Sequence, residues 1–281
     1  MKSAAEWKTF YARERESLGD VGLAQRLDRA PELELGRGEA LVFPHTMLAV
    51  TGHLTAAVAR AVMRSGADEV LALGVLHGGR EQDAERVKRA RDGDPAARGS
   101  LRRVHAAADA LCAEEFSLDG FLALLALAAA REGRTPPRVV ARYPFLVGDD
   151  PATLPGLDDV LRLAERLPVV ATTDPLHHGA GYGTPEGARR AESDAGTPLY
   201  ARTAIERQLD QLLHGEWTAF QELAATVRSD FRDTGPVLAC ALPATAERRG
   251  ELLELHLVDY AEVLRAERPT WVAGPLMRMT A

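Results

Sequence analysis

The chain has 281 residues, with 34 Lys and Arg against 41 Asp and Glu, a net charge of -7 and only two cysteines. An acidic balance without a continuous basic stripe argues against general binding of nucleic acid phosphates, and Cys112 with Cys240 is too few for a disulfide framework. No stretch approaches the ~20 apolar residues that span a bilayer, and residues 1–20 lack an apolar signal core, so a cytoplasmic protein with a small-molecule substrate and no membrane or nucleic acid partner is expected, its oligomeric state open.

Residues 1–38 read as a charged N-terminal helical extension, with Trp7, Phe10 and Tyr11 packing one short helix on the main body, which runs from 39 to 281. Ala40 to Phe43 is a brief strand stopped by Pro44, Val50 to Met63 carries helical spacing, and Glu69 to Gly74 is the next strand. Strand, helix and strand at this distance imply a parallel pair with a right-handed crossover. Gly78 to Gly99 is polar without a sustained apolar period and reads as a surface loop near the site mouth, either a solvated excursion or a functional lid. Leu118 to Ala130 is a helix, Val139 to Val147 a strand, Leu157 to Leu167 a helix and Val169 to Thr172 a buried strand. Gly179 to Thr197 reads as a long loop, and Ile205 to Val227 as an amphipathic helix with a break at Gly215. Val237 to Leu242 and Leu252 to Tyr260 read as strands, with Trp271 to Leu276 as a candidate last one. The alternation predicts a single α/β domain with a mostly parallel central sheet flanked by helices.

Single histidines and one cysteine lie just past or at the ends of these apolar runs, as Pro44-His45, Leu76-His77, Leu176-His177 and Ala239-Cys240. The ends of parallel strands converge on one crevice, so such residues can share a site. Two imidazoles and a thiolate suit iron(II), copper or zinc, whereas calcium and magnesium prefer oxygen. His177 is open to two readings, a fourth ligand or an acid/base group oriented by Asp174, and the acid/base reading is preferred. His178 points the other way in an extended segment, as a substrate contact or simply exposed. His53 reads as a cap or an anion donor at the entry of the first helix; His105, His214 and His256 lack companions and read as structural, and Cys112 has no assigned role. Tyr182 and Tyr260 are candidates for the pocket wall, and Asp149-Asp150-Pro151 reads as a turn and helix start.

The ordered set Pro44-His45, Gly52, Gly74-x-x-His77, Glu115-x-Ser117-x-Asp119, Thr172-Thr173-Asp174-x-x-His177-x-Gly179, Cys240 and Asp259-Tyr260-Ala261 resembles the Memo-like family, across roughly residues 40 to 277. That family shares its fold with the class III extradiol dioxygenases. The resemblance implies a metal trio of His45, His77 and Cys240 with Asp174 and His177 beside it. In the related dioxygenases the equivalent architecture holds non-haem iron(II), completes its ligand set with a carboxylate and uses a histidine as acid and base. This chain departs from the family pattern at Thr46-Met47-Leu48-Ala49 and at Phe116, where a histidine is usual, so the pocket is expected to exchange a polar wall for an apolar one.

Three functions follow as expectations. The first is a mononuclear metal oxidoreductase, with iron(II) as the expected cofactor and His177 and Asp174 as the catalytic pair, whose pocket includes Phe116, His178 and Tyr182. The second is a non-catalytic metal- or peptide-binding protein on the same fold, and the third, ranked last, a zinc hydrolase.

Overall fold

The computed structural model describes residues 4–78, 80–148, 150–244 and 248–281. In chain order its elements are α1 (Ala4–Arg29), β1 (Glu39–Phe43), α2 (Leu48–Ser65), β2 (Glu69–Leu73), α3 (Glu81–Arg91), α4 (Pro95–Leu101), β3 (Arg103–Ala106), α5 (Asp119–Arg131), β4 (Arg138–Phe145) and α6 (Leu157–Ala164). They continue as β5 (Val169–Thr172), β6 (Leu176–Gly179), α7 (Thr197–Leu213), α8 (Trp217–Thr226), α9 (Phe231–Ala241), β7 (Arg249–Asp259), α10 (Ala261–Leu264) and β8 (Thr270–Thr280).

The strands form one mixed sheet with a parallel centre in the order β4, β2, β5, β1. β3 pairs antiparallel with β4 at one edge. On the other side β1 and β6 pair antiparallel with successive lengths of β8, which leaves the opposite side of β8 to β7 along its whole run.

Alternation along the central strands divides the core in two, because successive side chains leave opposite faces of a strand. Leu41, Phe43, Val70 and Ala72 meet residues of α1, α2 and α5 on one face. Ala40, Val42, Leu71 and Leu73 meet α6, α7, α8 and α9 on the other. The chain is therefore a single α/β domain with helices on both faces of its sheet.

Three sequence expectations need correction here. The polar stretch after Gly78 is not a loop: it holds α3 and α4, and α4 is capped by Asp94, whose carboxylate accepts from the N–H groups of Ala96 and Ala97. Their buried faces are narrow, carried by Val87, Ala90, Ala97 and Leu101, which is why no long apolar period marks them. The N-terminal segment is a long helix broken at Gly19, where φ is 55°, and Leu23 and Leu27 enter the core beside α2. Residues 237–241 are helix and not strand, because they continue α9 through Gly235 and Pro236. The expected break at Gly215 does separate α7 from α8.

Candidate metal centre

Because β1, β2 and β5 are parallel, the segments leaving their carboxyl ends emerge along one edge of the sheet. His45 leaves β1 behind Pro44, His77 leaves β2, and Asp174 leaves β5. The loop carrying His77 is tied down by Ser117, whose hydroxyl donates to the Val75 carbonyl at 3.0 Å and accepts from the Val75 N–H at 3.1 Å. Gly74 is required there, since a Cβ would lie 2.3 Å from Cε1 of Tyr143.

Asp230 arrives from the helical layer, at the residue preceding α9, where its N–H donates to the Asp174 carbonyl at 3.1 Å. An aspartate at such a position usually accepts hydrogen bonds from the first turn of its helix. Asp230 makes no such bond, and the Phe231 N–H is taken instead by the Ser229 hydroxyl at 3.1 Å. Its carboxylate turns to the histidines, with Oδ2 3.6 Å from Nε2 of His45 and 3.6 Å from Nε2 of His177. Ligand atoms of His45, His77 and Asp230 all lie within 4.8 Å of one another.

The outer hydrogen bonds fix which nitrogen each imidazole presents. Thr172 donates its hydroxyl proton to the Phe43 carbonyl at 3.0 Å, so its oxygen accepts from Nδ1 of His45 at 3.3 Å. Glu115 accepts from Nδ1 of His77 at 2.9 Å and from the His77 N–H at 2.7 Å. With both Nδ1 protons committed outward, Nε2 is the nitrogen that each ring presents to an ion. Two neutral imidazoles and one carboxylate suit a borderline divalent metal, iron(II) included, so the residues present fit the ion that the sequence leads one to expect.

Three carboxylates face the three imidazoles. Burial pulls the His45 imidazole down, but Asp174, with Asp230 and Glu115, outweighs it and raises the group to about 8. Burial pushes Asp230 up, yet His177, His45 and His77 together hold it well below the usual carboxylate range. Glu115 is likewise held low against its burial by His77 and the backbone N–H groups. Asp174 goes the other way: burial raises it, and neither His45 nor His177 fully compensates.

His45, His77, His177, Asp174 and Asp230 open into a cavity of about 230 Å³. Trp7 and Tyr11 from α1, Phe116, Tyr182 and Tyr260 give it an aromatic wall, and Arg228 and Arg232 bring positive charge. Phe116 stacks on the His77 ring, with centroids 4.6 Å apart and planes 20° from parallel. Tyr182 meets His177 at 4.8 Å. The Tyr260 hydroxyl is engaged with Thr46 at 2.5 Å, Tyr11 at 3.0 Å and the Met47 N–H at 3.2 Å, which makes it a strut of the wall.

His45, His77, Asp174, His177, Phe116 and Tyr182 thus meet in one place, and two expected members do not. Cys240 lies near the end of α9 in a separate groove with Gly38, Glu39, Pro168 and Val169, at the amino ends of β1 and β5. It is across the length of the sheet from His45, burial raises its thiol, and it cannot join the trio. His178 is neither pocket wall nor exposed: it is 4% exposed, stacks on Trp271 at 4.7 Å and accepts the Arg190 N–H through Nε2 at 2.9 Å.

His53 sits within α2 and does not cap it, and His256 has companions in Glu254 and His53. Asp150 caps a short turn through the Ala152 N–H, while Asp149 lies outside the described residues. Sequence reading missed Asp230, Trp7, Tyr11, Arg228 and Arg232. For Asp230 a signal existed in Arg228-Ser229-Asp230-Phe231, a polar step between two apolar helical stretches.

The chain matches no protein-family model and no curated protein. Among the described residues no helix is long and apolar enough to cross a membrane.

Proposed function

We propose that this chain is a mononuclear non-haem metal oxidoreductase of the extradiol dioxygenase kind, acting on a small aromatic substrate. The observation that carries the reading is the convergence of His45, His77 and Asp230, two imidazoles and a carboxylate from three separate loops, at the wall of an aromatic cavity. Asp230 takes the place that the resemblance to Memo-like proteins gives to Cys240, and it supplies the carboxylate with which the related dioxygenases complete their ligand set. Iron(II) held by these residues would supply reactivity towards dioxygen.

The chain's own residues account for substrate handling. Nδ1 of His177 donates to the Arg228 carbonyl at 2.7 Å, so the neutral ring keeps its lone pair on Nε2. That nitrogen faces the cavity and can take a proton from a substrate hydroxyl, and the Asp230 carboxylate 3.6 Å away stabilises the imidazolium that forms. The His45 N–H donates to Oδ1 of Asp174 at 3.2 Å, which holds the His45 loop against β5 and makes Asp174 a positioning residue. Trp7, Tyr11 and Phe116, stacked in succession, line the cavity with apolar ring surface against which an aromatic substrate can pack.

Oxygen uptake by protein reconstituted anaerobically with iron(II), measured over a panel of catechols and simple phenols, tests the proposal. Substrate-dependent uptake that is lost in His177→Gln is the expected result. Zinc-dependent hydrolysis without oxygen, or metal binding without any turnover, would overturn it.

A further inference from the structure

We infer that His53, Glu254 and His256 form a second divalent-cation site, of the kind that takes zinc, where α2 packs against β7. None of these residues lines the aromatic cavity, so the inference stands apart from the proposed function.

The geometry is convergent. Nε2 of His53 lies 3.0 Å and Nε2 of His256 2.8 Å from the same oxygen, Oε1 of Glu254. The rings are 5.0 Å apart at 89°, so both point a nitrogen at one spot without stacking face to face. The three ligand atoms lie within 4.8 Å of one another. Two imidazoles and one carboxylate form a recurring zinc ligand set, and zinc bonds of ~2.0–2.2 Å are within reach of small side-chain rotations. The side chains are 18%, 38% and 36% exposed for His53, Glu254 and His256, so a water has access to the fourth position.

The backbone places this trio by a specific device. β7 slips register against β8 between Leu252 and Glu254. Before the slip Leu252 faces the α7 side of the sheet; beyond it Leu255 and Leu257 do, while Leu253 packs into the core around α2. The inserted residue therefore changes the phase of the strand and delivers Glu254 and His256 together to the α2 face. Without the bulge both would face α7, away from His53. A surface ion-pair trio is worth little to stability and gives no reason for such a register change.

An ion here would join two elements that both run to the aromatic cavity. α2 starts just beyond His45, and β7 ends beside Tyr260, whose hydroxyl bonds Thr46. Binding would stabilise the folded chain.

The test uses cobalt(II) and zinc alone, on the full chain carrying Asp230→Ala so that the cavity site is disabled. Titration calorimetry and the visible spectrum of the cobalt form should show one bound equivalent, with a thermal midpoint that rises with zinc concentration. Adding His256→Ala, a half-exposed position whose metal-free melting checks the fold, should abolish the bound equivalent and the rise. Absence of binding to Asp230→Ala, or binding unchanged by His256→Ala, would overturn the inference.

Discussion

Glu115 accepts two bonds from His77, one from the backbone N–H at 2.7 Å and one from Nδ1 at 2.9 Å, while its side chain is wholly buried. It accepts a further bond from the Phe116 N–H at 2.9 Å. One carboxylate thus sets both the position and the tautomer of a proposed ligand, although it does not itself line the cavity. Glu115→Gln, which keeps an acceptor, should weaken iron(II) or cobalt(II) binding ~10–100-fold with little unfolding. Glu115→Ala should in addition cost ~3 kcal/mol, because several buried N–H groups lose their partner. Equal metal affinity in wild type and Glu115→Gln, by titration calorimetry, would refute the assignment.

Gly74 tests how the His77 loop is held. An added Cβ at 2.3 Å from the Tyr143 ring must displace either the loop or β4, at a cost of ~1–3 kcal/mol for Gly74→Ala in urea unfolding. Tyr143→Leu should remove most of that penalty when the two are combined. A penalty of the same size in both backgrounds would show that the ring is not what excludes a side chain.

Acid sensitivity follows from His178. Burial first, and Arg190 second, lower its imidazole from the ordinary 6.5. The folded state therefore prefers the neutral ring, whose Nε2 accepts the Arg190 N–H. Its contribution is fully present above pH ~6.5 and is lost as pH falls below that value, where the unfolded chain takes up the proton more readily. His105, also lowered by burial, acts with the same sign. His178→Gln keeps an acceptor without a titrating ring, so its stability should fall less than that of wild type between pH 7.5 and 5.5. Parallel falls in the two proteins would remove His178 as a source.

The aromatic wall predicts a split between metal and substrate. Phe116 covers the His77 ring but donates nothing to an ion. Phe116→Leu should leave iron(II) affinity within about a few-fold, while raising the KM of an aromatic substrate; an edge-to-face or offset aromatic contact is worth ~0.5–1.5 kcal/mol. An unchanged KM would place the substrate elsewhere in the cavity.

The parts of the site that local pattern reveals are those carried by strand ends. His45, His77 and Asp174 follow the parallel strands β1, β2 and β5, and their convergence is a consequence of topology, whereas His177 lies within β6, which pairs antiparallel with β8. Cys240 misled because Gly235-Pro236 interrupts the helical pattern of α9, leaving Val237 to Cys240 to read as a β-branched and apolar strand. Asp230 comes from the helical layer at a turn between α8 and α9, and no periodicity tells a helix-start aspartate that caps its helix from one that does not. Trp7 and Tyr11 reach the cavity only because α1 packs over the edge where the loops emerge. The pairing of His53 with His256 depends on the register slip near Leu253, which a simple alternation cannot anticipate.

In the proposed site Asp230, and not Cys240, completes the ligand set with His45 and His77. Anaerobic iron(II) titration, in protein that carries His256→Ala so that only the cavity site remains, tests it most directly. One equivalent should bind, persist with unchanged affinity when Cys240→Ala is added, and be lost when Asp230→Ala is added. Retention in Asp230→Ala together with loss in Cys240→Ala would contradict the account.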